Sequence, residues 1–261
     1  MKFYYFILLY LFFSMQALGQ HTLDSITLSS ESLHITKKIW IYIPLLSKSN
    51  SKKFSVLYMH DAQNLFDSKK SFSGEWNIDE TLDSLHAQTI VVGIEHGNAN
   101  RINELTPYKN EKYGGGNADA YLEFIVTVVK PYIDSHYSVK VDKNHTGIMG
   151  SSLGGLLSYY AILKYPEIFG KAGVFSPAFW INKKEIIDLT EKTKDLNAKL
   201  YFMCGDHESE NMVSDCNEII HLVNTKRCTC KMLTKKVIIT GGEHNEKLWR
   251  EQFAKAYLWL F

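Results

Sequence analysis

The chain has 261 residues, of which 45% are hydrophobic and 22% charged, and its formal net charge is +1. This composition is typical of a globular protein and excludes a disordered or fibrous one. The near-zero charge provides no basic excess for nucleic acid or an anionic membrane, so we expect neither as a partner.

The N-terminus is predicted to be a secretory signal peptide over residues 1–19. Lys2 is a minimal positive region, residues 3–13 form an apolar run, and small residues precede a cleavage site before Gln20. The run is short for a transmembrane span, although an uncleaved N-terminal anchor is the alternative. We therefore predict export to the periplasm or the outside, no stable membrane insertion after cleavage, and one domain over residues 20–261.

Strand-like and helix-like segments alternate along the chain. Residues 22–35 indicate an early hairpin, and the other strand-like segments are 38–43, 54–59, 89–94, 145–149, 199–204 and 236–239. Helix-like segments cover 118–135, 156–164, a stretch starting near 211, and 246–261, and Pro131 is expected to kink or shorten the first of them. This alternation predicts an α/β fold with a mostly parallel sheet and its ligand site at the carboxyl ends of the strands.

The segment Gly150–Gly155 has the sequence of a nucleophile elbow, with Ser152 at its apex. An apolar strand precedes it and a helix-like stretch follows it. The nucleophile sits on a strained turn, so we expect Gly150 and Gly154 to be small because larger neighbours would collide there. The N-terminal N–H groups of the next helix would face the negative charge that develops during acyl transfer.

A serine nucleophile needs a base and an orienting carboxylate further along the chain. His244 follows a late strand and precedes the terminal helix, which is the expected place of the base, although an exposed histidine near a helix cap is the alternative. The loop after Gly205 holds the candidate acids. In many α/β-hydrolases the acid stands three residues after this glycine, which favours Glu208, with Asp206 as the alternative.

Two backbone N–H groups should form an oxyanion hole. One is predicted to be that of Leu153, directly after the nucleophile. The other should come from the loop after the strand at 54–59, where we favour Gln63. His60 precedes the serine in chain order and is therefore interpreted as a strand-end residue rather than as the base.

Seven sequence blocks together resemble an esterase family of α/β-hydrolases that includes enterochelin esterases, esterase D, feruloyl esterase domains and antigen 85 mycolyltransferases. The blocks are Tyr58–Asp67, Gly74–Leu82, Arg101–Pro107, Gly150–Gly155, Ser176–Trp180, Cys204–Glu208 and Gly241–Trp249. The resemblance runs from about residue 35 to the C-terminus. It implies a three-layer α/β-hydrolase fold, Ser152 as nucleophile, His244 as base, an acid after Gly205 and the Gln63 N–H as oxyanion donor.

The substrate pocket is predicted to have aromatic walls. Trp76 and Trp180 fall on loops expected to surround Ser152 and suit an aromatic acyl group or a sugar face, or else they pack those loops. Arg101 either binds a substrate anion or forms a structural ion pair. Trp249, on the last helix, is expected to pack in the core.

The four cysteines lie late in the chain, where export would expose them to oxidation. A disulfide from Cys216 to Cys228 or Cys230 is one possibility, and Cys204 is expected to be a buried thiol. The spacing does not match a zinc site, so we expect no metal, and the chemistry requires no cofactor.

These features predict an exported serine esterase with a Ser-Glu-His triad and an acyl-enzyme intermediate. Its expected partner is a small-molecule or glycan-linked ester, and the oligomeric state stays open. The alternatives are an acyltransferase of the mycolyltransferase type, which would pass the acyl group to a sugar hydroxyl, and an inactive hydrolase scaffold that serves as a binding module.

Overall fold

One eight-stranded sheet organises the protein. The computed structural model describes residues 21–45, 53–71, 73–194, 196–226 and 233–261, and its strands lie in the order β1-β2-β4-β3-β5-β6-β7-β8. The strands are β1 His21–Ser30, β2 Ile35–Pro44, β3 Ser55–His60, β4 Thr89–Ile94, β5 Thr146–Ser151, β6 Lys171–Phe175, β7 Lys199–Gly205 and β8 Thr234–Ile239. The β1–β2 and β2–β4 pairs are antiparallel and the other five are parallel. The predicted mostly parallel sheet is confirmed.

Helices cover both faces of the sheet because its central strands are apolar on both sides. In β3, Val56 and Tyr58 face one apolar core while Leu57 and Met59 face the other. The helices are α1 Ile78–Ser84, α2 Arg101–Leu105, α3 Ala118–Phe124, α4 Lys130–His136, α5 Leu153–Lys164, α6 Lys183–Lys192, α7 Met212–Thr225 and α8 Glu246–Leu260. Helices α1 and α8 pack on one face, and helices α3 to α7 pack on the other. This arrangement is the predicted three-layer α/β-hydrolase fold.

The early hairpin is longer than predicted. Strand β1 pairs with β2 along its whole length, from His21 opposite Pro44 to Ser30 opposite Ile35. The segment predicted as a separate strand at 38–43 is therefore the second arm of the hairpin, and this arm joins the parallel sheet through β4.

The segment before Pro131 contains a π-helical turn, Ile125–Val129, which links α3 to α4 without a break. Proline removes one backbone donor and its ring crowds the carbonyl one turn back. A wider turn placed directly before Pro131 accommodates both effects within one continuous helix. Within the described residues, no helix combines the length and the apolar character that crossing a membrane requires.

Candidate active site

Ser152 occupies the sharp turn between β5 and α5. Its backbone has φ 56° and ψ −119°, a conformation that a non-glycine residue rarely adopts. Two hydrogen bonds hold the turn: the Ser152 N–H donates to the Phe175 carbonyl at 2.9 Å, and the Ala178 N–H donates to the Ser152 carbonyl at 3.0 Å. The surrounding strands therefore maintain a strained serine at the carboxyl end of the sheet.

The glycines around Ser152 differ in how much space they have. A Cβ on Gly150 would lie 2.9 Å from the backbone of Gly154, and one on Gly155 would lie 2.5 Å from the Phe175 carbonyl oxygen. A Cβ on Gly154 would meet its nearest neighbour, the Cβ of His60, at 3.3 Å. Gly155, which the sequence argument did not single out, is therefore the more crowded of the two glycines in α5.

We predict that Gly155→Ala destabilises the protein more than Gly154→Ala. The methyl group at position 155 must displace the same carbonyl that binds the Ser152 N–H, and overpacking of this kind costs about 1–3 kcal/mol. At position 154 a small shift of His60 suffices, and the higher helix propensity of alanine offsets up to about 1 kcal/mol. Urea unfolding of both variants checks this, and equal losses of unfolding free energy would contradict it.

His244 and Glu208 form a close pair beside the elbow. The His244 Nδ1 lies 2.7 Å from Glu208 Oε2, the distance of a hydrogen bond that the ring N–H donates. The Glu208 side chain is fully buried, whereas the His244 side chain is 36% exposed. A buried carboxylate that binds Nδ1 leaves Nε2 as the free, proton-accepting nitrogen of the imidazole.

Two loops must touch for this pair to form, and glycines allow it. Gly205 ends β7 and packs directly on Gly242 in the loop after β8, with no space for a Cβ on Gly205. Backbone bonds add to the contact, since Asp206 N–H donates to the Ile239 carbonyl at 3.1 Å and His207 N–H to the Gly242 carbonyl at 3.0 Å. The acid loop and the histidine loop therefore form one unit.

Asp206, the alternative acid, has a different partner. Its Oδ1 accepts the Gly241 N–H at 2.7 Å, and its side chain is 35% exposed. This bond supports the turn at Gly241, where φ is +70°. The structure thus places Glu208 against His244 and uses Asp206 to hold the histidine loop.

Ser176 and Trp249 hold Glu208 from behind. The Ser176 hydroxyl donates to Glu208 Oε1 at 2.7 Å and accepts the Trp249 indole N–H at 2.8 Å. The Gly205 N–H also donates to Glu208 Oε1, at 2.5 Å. The Trp249 ring meets the His244 imidazole edge to face, with centroids 5.0 Å apart. Trp249 is buried in the apolar core, as predicted, whereas sequence reasoning missed its bond to Ser176 and the role of Ser176.

We predict that Ser176→Ala lowers kcat about 10–100-fold with little change in KM. The variant loses one hydrogen bond to a carboxylate and leaves a buried indole N–H unpaired, and each such loss costs about 1–3 kcal/mol. Ser176 is fully buried, so the effect would come through the orientation of Glu208. Steady-state kinetics with a short ester checks this. A raised KM at unchanged kcat would instead indicate direct substrate contact.

Ser152 and His244 line the same cavity, which has a volume of about 550 Å³. Polar side chains dominate its wall. The lining residues are Asp61, Asn64, Ser73, His96, Asn98, Arg101, Ser151, Ser152, His244, Glu246 and Trp249. The cavity brings the predicted nucleophile and the predicted base to one solvent-accessible space, with Glu208 behind the base.

Arg101 lies in the cavity wall as the partner of Asp61. Its Nε and one Nη donate to the two carboxylate oxygens at 2.7 and 2.8 Å. Burial works to raise the pKa of Asp61, but the charge and hydrogen bonds of Arg101 outweigh it and lower that pKa overall. Of the two roles considered for Arg101, a substrate-anion contact or a structural ion pair, this geometry matches the ion pair.

His60 is the last residue of β3 and packs beneath the elbow. Its side chain contacts the positions that Cβ atoms on Gly150 and Gly154 would occupy. Burial lowers the pKa of His60 to about 4, so the ring is neutral near pH 7. The Nδ1 lies 3.3 Å from the Tyr121 hydroxyl.

The two predicted tryptophan walls do not line this cavity. Trp76 is buried, and its ring stacks on Phe175 with centroids 5.6 Å apart. Its backbone N–H donates to the Asn64 carbonyl at 2.8 Å. Trp180 is 51% exposed and lines a separate cavity. The aromatic wall expected around Ser152 is therefore replaced by a polar one, with Trp249 as its aromatic member.

The two predicted oxyanion donors belong to different elements, and neither is among the residues that line the cavity around Ser152. Leu153 is the first residue of α5. Gln63 is in the 3-10 turn Ala62–Asn64, directly after Asp61, whose φ is 58°. The Gln63 side chain points elsewhere, since its amide makes two hydrogen bonds with the His96 backbone, at 3.0 and 3.2 Å. Only its backbone is left for the predicted role.

The cysteine prediction is tested only in part. Cys204 and Cys216 are buried free thiols, and Cys204 is the hydrogen-bond partner that, together with burial, raises the pKa of Cys216. Because Cys216 is a free thiol, the structure does not contain the disulfide predicted for it, and Cys228 and Cys230 lie outside the described residues.

One group of carboxylates among the described residues has the spacing of a cation site. Oxygen atoms of Glu75, Asp79 and Glu80, at the start of α1, lie within 4.8 Å of one another. Burial, followed by the charge of Glu80, raises the pKa of Asp79 to about 7. An oxygen-only set of this kind would suit a hard cation such as Ca²⁺.

Comparisons with known proteins identify the family of this chain. A family model described as "Putative esterase" matches residues 30–260. YbbA of Bacillus subtilis, an uncharacterised protein, is 28% identical over 244 residues, which cover 86% of this chain and 92% of YbbA. An endo-1,4-beta-xylanase/feruloyl esterase of Xylanibacter ruminicola is 22% identical over 249 residues, or 92% of this chain, and the match spans 31% of that longer protein.

Solved structures show the same fold. The siderophore hydrolase EstA of Aspergillus nidulans superposes with a TM-score of 0.72 at 18% identity, and the match covers 99% of this chain and 98% of that one. With the family model spanning nearly all of the described residues, the predicted resemblance is confirmed. The chain therefore belongs to this esterase family, with the α/β-hydrolase fold, and by family it is a carboxylic ester hydrolase.

Proposed function

We propose that this protein is an exported serine esterase in which Ser152, His244 and Glu208 form the catalytic triad. The observation that supports this most directly is the 2.7 Å bond between His244 Nδ1 and the buried Glu208, on a cavity that also exposes the strained Ser152. Each side chain comes from a different loop at the carboxyl edge of the sheet. This is the place where α/β enzymes bind their ligands.

In the proposed reaction the Ser152 hydroxyl attacks the ester carbonyl carbon while His244 Nε2 accepts its proton. Glu208 stabilises the resulting imidazolium and keeps the ring oriented. The N–H groups of Leu153 and Gln63 bind the oxyanion. His244 then protonates the departing alkoxide, and the acyl group remains on Ser152.

In the second half of the reaction, water is the nucleophile and Ser152 is the leaving group. His244 takes a proton from water as the hydroxide attacks the acyl-enzyme carbonyl, and the carboxylic acid leaves as Ser152 regains its proton. The route needs no cofactor. Relatives are named for siderophore and feruloyl esters, so we propose a small-molecule or glycan-linked ester as the substrate class.

A fluorophosphonate probe tests the nucleophile directly. The purified protein from residue 20 onward should incorporate one phosphonyl group at Ser152, located by peptide mass spectrometry. Hydrolysis of acetyl, butyryl, feruloyl and catecholate-trilactone esters, with and without a sugar acceptor, then defines the substrate and separates hydrolysis from acyl transfer. Absence of labelling under conditions that label a known serine esterase would defeat the proposal.

We also propose that residues 1–19 direct export and that residues 20–261 form a single mature domain. The apolar run over residues 3–13 and the small residues before Gln20 support this. Expression of the full chain in a bacterium with a cell envelope, followed by N-terminal sequencing, tests this. Gln20 as the first residue of the exported protein is expected, and an intact Met1 in the cytosol would contradict it.

A further inference from the structure

A second cavity, of about 360 Å³, lies beside the acid loop and shares no lining residue with the cavity around Ser152. Two aromatic rings, Tyr113 and Trp180, form one part of its wall together with Pro177. Residues 209–212 and Asp215, at the start of α7, form the other part. The mechanism proposed above uses none of these residues.

The two aromatic side chains are unusually open to solvent. Trp180 is 51% exposed and Tyr113 is 43% exposed, and their rings meet edge to face with centroids 5.2 Å apart. The Lys112 ammonium lies 4.9 Å from the Tyr113 ring centre. Because the two rings are nearly perpendicular, the flat apolar surface beside the cavity is the exposed face of a single ring, that of Trp180.

The opposite wall offers hydrogen-bond acceptors and negative charge. Glu210 is exposed, and Asp215 is buried with its Oδ1 bound to Lys183 at 2.8 Å. Asn211 and Ser209 add an amide and a hydroxyl, and the described lining contains neither lysine nor arginine. Since Lys183 neutralises Asp215, Glu210 is the lining residue whose charge would repel an anion, and its oxygens can accept hydroxyl donors.

Two segments that line the second cavity also contact the triad. Residues 176–180 carry Ser176, which binds Glu208, at one end and Trp180 at the other, and the Ala178 N–H between them binds the Ser152 carbonyl. The acid loop likewise runs from Glu208, in the triad, into residues 209–212 of the second wall. The two segments therefore run from the contacts of Glu208 and Ser152 to the wall of the second cavity.

We propose that this cavity is a subsite for an uncharged sugar ring of the substrate. The apolar face of the ring stacks on Trp180, while its hydroxyl groups donate to Glu210 and Asn211. This inference rests on the proposed esterase function and narrows its substrate class to glycan-linked esters. It also implies that sugars carrying carboxylates bind this cavity less tightly than neutral sugars.

Binding without turnover tests the subsite separately from catalysis. In the Ser152→Ala background, titration with xylotriose, cellotriose and maltotriose is followed by calorimetry and tryptophan fluorescence. At least one neutral trisaccharide should bind, and adding Trp180→Ala should weaken that binding about tenfold. Adding Leu258→Ala instead, an apolar residue that is 63% exposed on α8, should leave it unchanged. No binding up to the solubility limit, or binding insensitive to Trp180→Ala, overturns the proposal.

Charge selection provides a second binding measurement. Trigalacturonate, which carries carboxylates, should bind more weakly than the neutral trisaccharides. Glu210→Gln should narrow this difference because the amide still accepts hydroxyl donors but no longer repels the anion. Equal affinities for neutral and anionic sugars in the parent protein would contradict the assigned wall chemistry.

Kinetics of the otherwise unmodified enzyme links the subsite to the reaction. The ratio of kcat/KM for a feruloylated xylotriose to that for methyl ferulate should fall about tenfold in Trp180→Ala. If neither ester is hydrolysed, the proposed function fails while the sugar titrations still decide the subsite. If both are hydrolysed and the ratio is the same in the variant, the subsite fails while the esterase proposal stands.

Discussion

Ser152→Ala is expected to abolish ester hydrolysis, with kcat/KM for a short p-nitrophenyl ester falling at least about 10⁴-fold. The variant keeps the cavity and the His244–Glu208 pair but has no oxygen to form the acyl-enzyme. The remaining rate would come from the oxyanion donors and from binding alone. The measurement is steady-state hydrolysis together with fluorophosphonate labelling, and both signals should disappear.

A neighbouring serine provides the matched control for this experiment. Ser151 lines the same cavity and precedes Ser152 on β5, but its backbone pairs with Phe175 in the sheet rather than forming the turn. We expect Ser151→Ala to retain activity within about tenfold of the parent. If Ser151→Ala were as inactive as Ser152→Ala, the loss would reflect damage to the elbow, and the nucleophile would not be identified.

Thermal unfolding shows whether the Ser152 variants are folded, and the backbone strain at Ser152 predicts their relative stabilities. Serine and alanine tolerate φ 56° equally poorly, so Ser152→Ala should unfold at nearly the parent temperature. Glycine adopts positive φ without strain, which removes a cost of about 1–3 kcal/mol from the folded state. Its more flexible unfolded chain lowers the stability by about 0.5–1 kcal/mol, which is the smaller effect. Ser152→Gly should therefore be inactive yet at least as stable as Ser152→Ala. Lower stability of the glycine variant would argue against stored strain at this position.

Local sequence features predicted the sheet and the elbow because both depend on short-range patterns. Apolar runs such as Thr89–Ile94 identify strands that are buried on both faces, and the glycines around Ser152 indicate a turn without space for side chains. Chain order then points to His244 without any knowledge of distances. The turn before Pro131 was harder, because proline predicts a kink and only packing selects a π turn instead.

Contacts between distant loops could not be predicted from the sequence. Ser176 and Trp249 are 73 residues apart, and their hydrogen bond exists only because β6, β7 and α8 pack together. The tryptophans show the same limit. Trp76 lies just before α1 and Trp180 lies in the 3-10 turn Phe179–Ile181. The stacking of Phe175 on the first and the exposure of the second depend on the packing around them.

Glu208→Gln is expected to lower kcat about 10³–10⁴-fold while Asp206→Asn lowers it less than about tenfold. The glutamine amide can still accept bonds from Ser176 and Gly205 through its oxygen, which turns its NH₂ group toward His244. That donor forces His244 into the tautomer with the proton on Nε2. The base then has no free lone pair for the Ser152 proton.

Asp206→Asn is a matched change because it also replaces one carboxylate by an amide on the same loop. Its oxygen can still accept the Gly241 N–H, so the histidine loop should remain in place. Equal losses in the two variants, or a larger loss in Asp206→Asn, would assign the acid role to Asp206 and imply a rearrangement of the loop during catalysis. A loss confined to Glu208→Gln, with fluorophosphonate labelling of Ser152 slowed in parallel, would support Glu208 because both reactions require the same base.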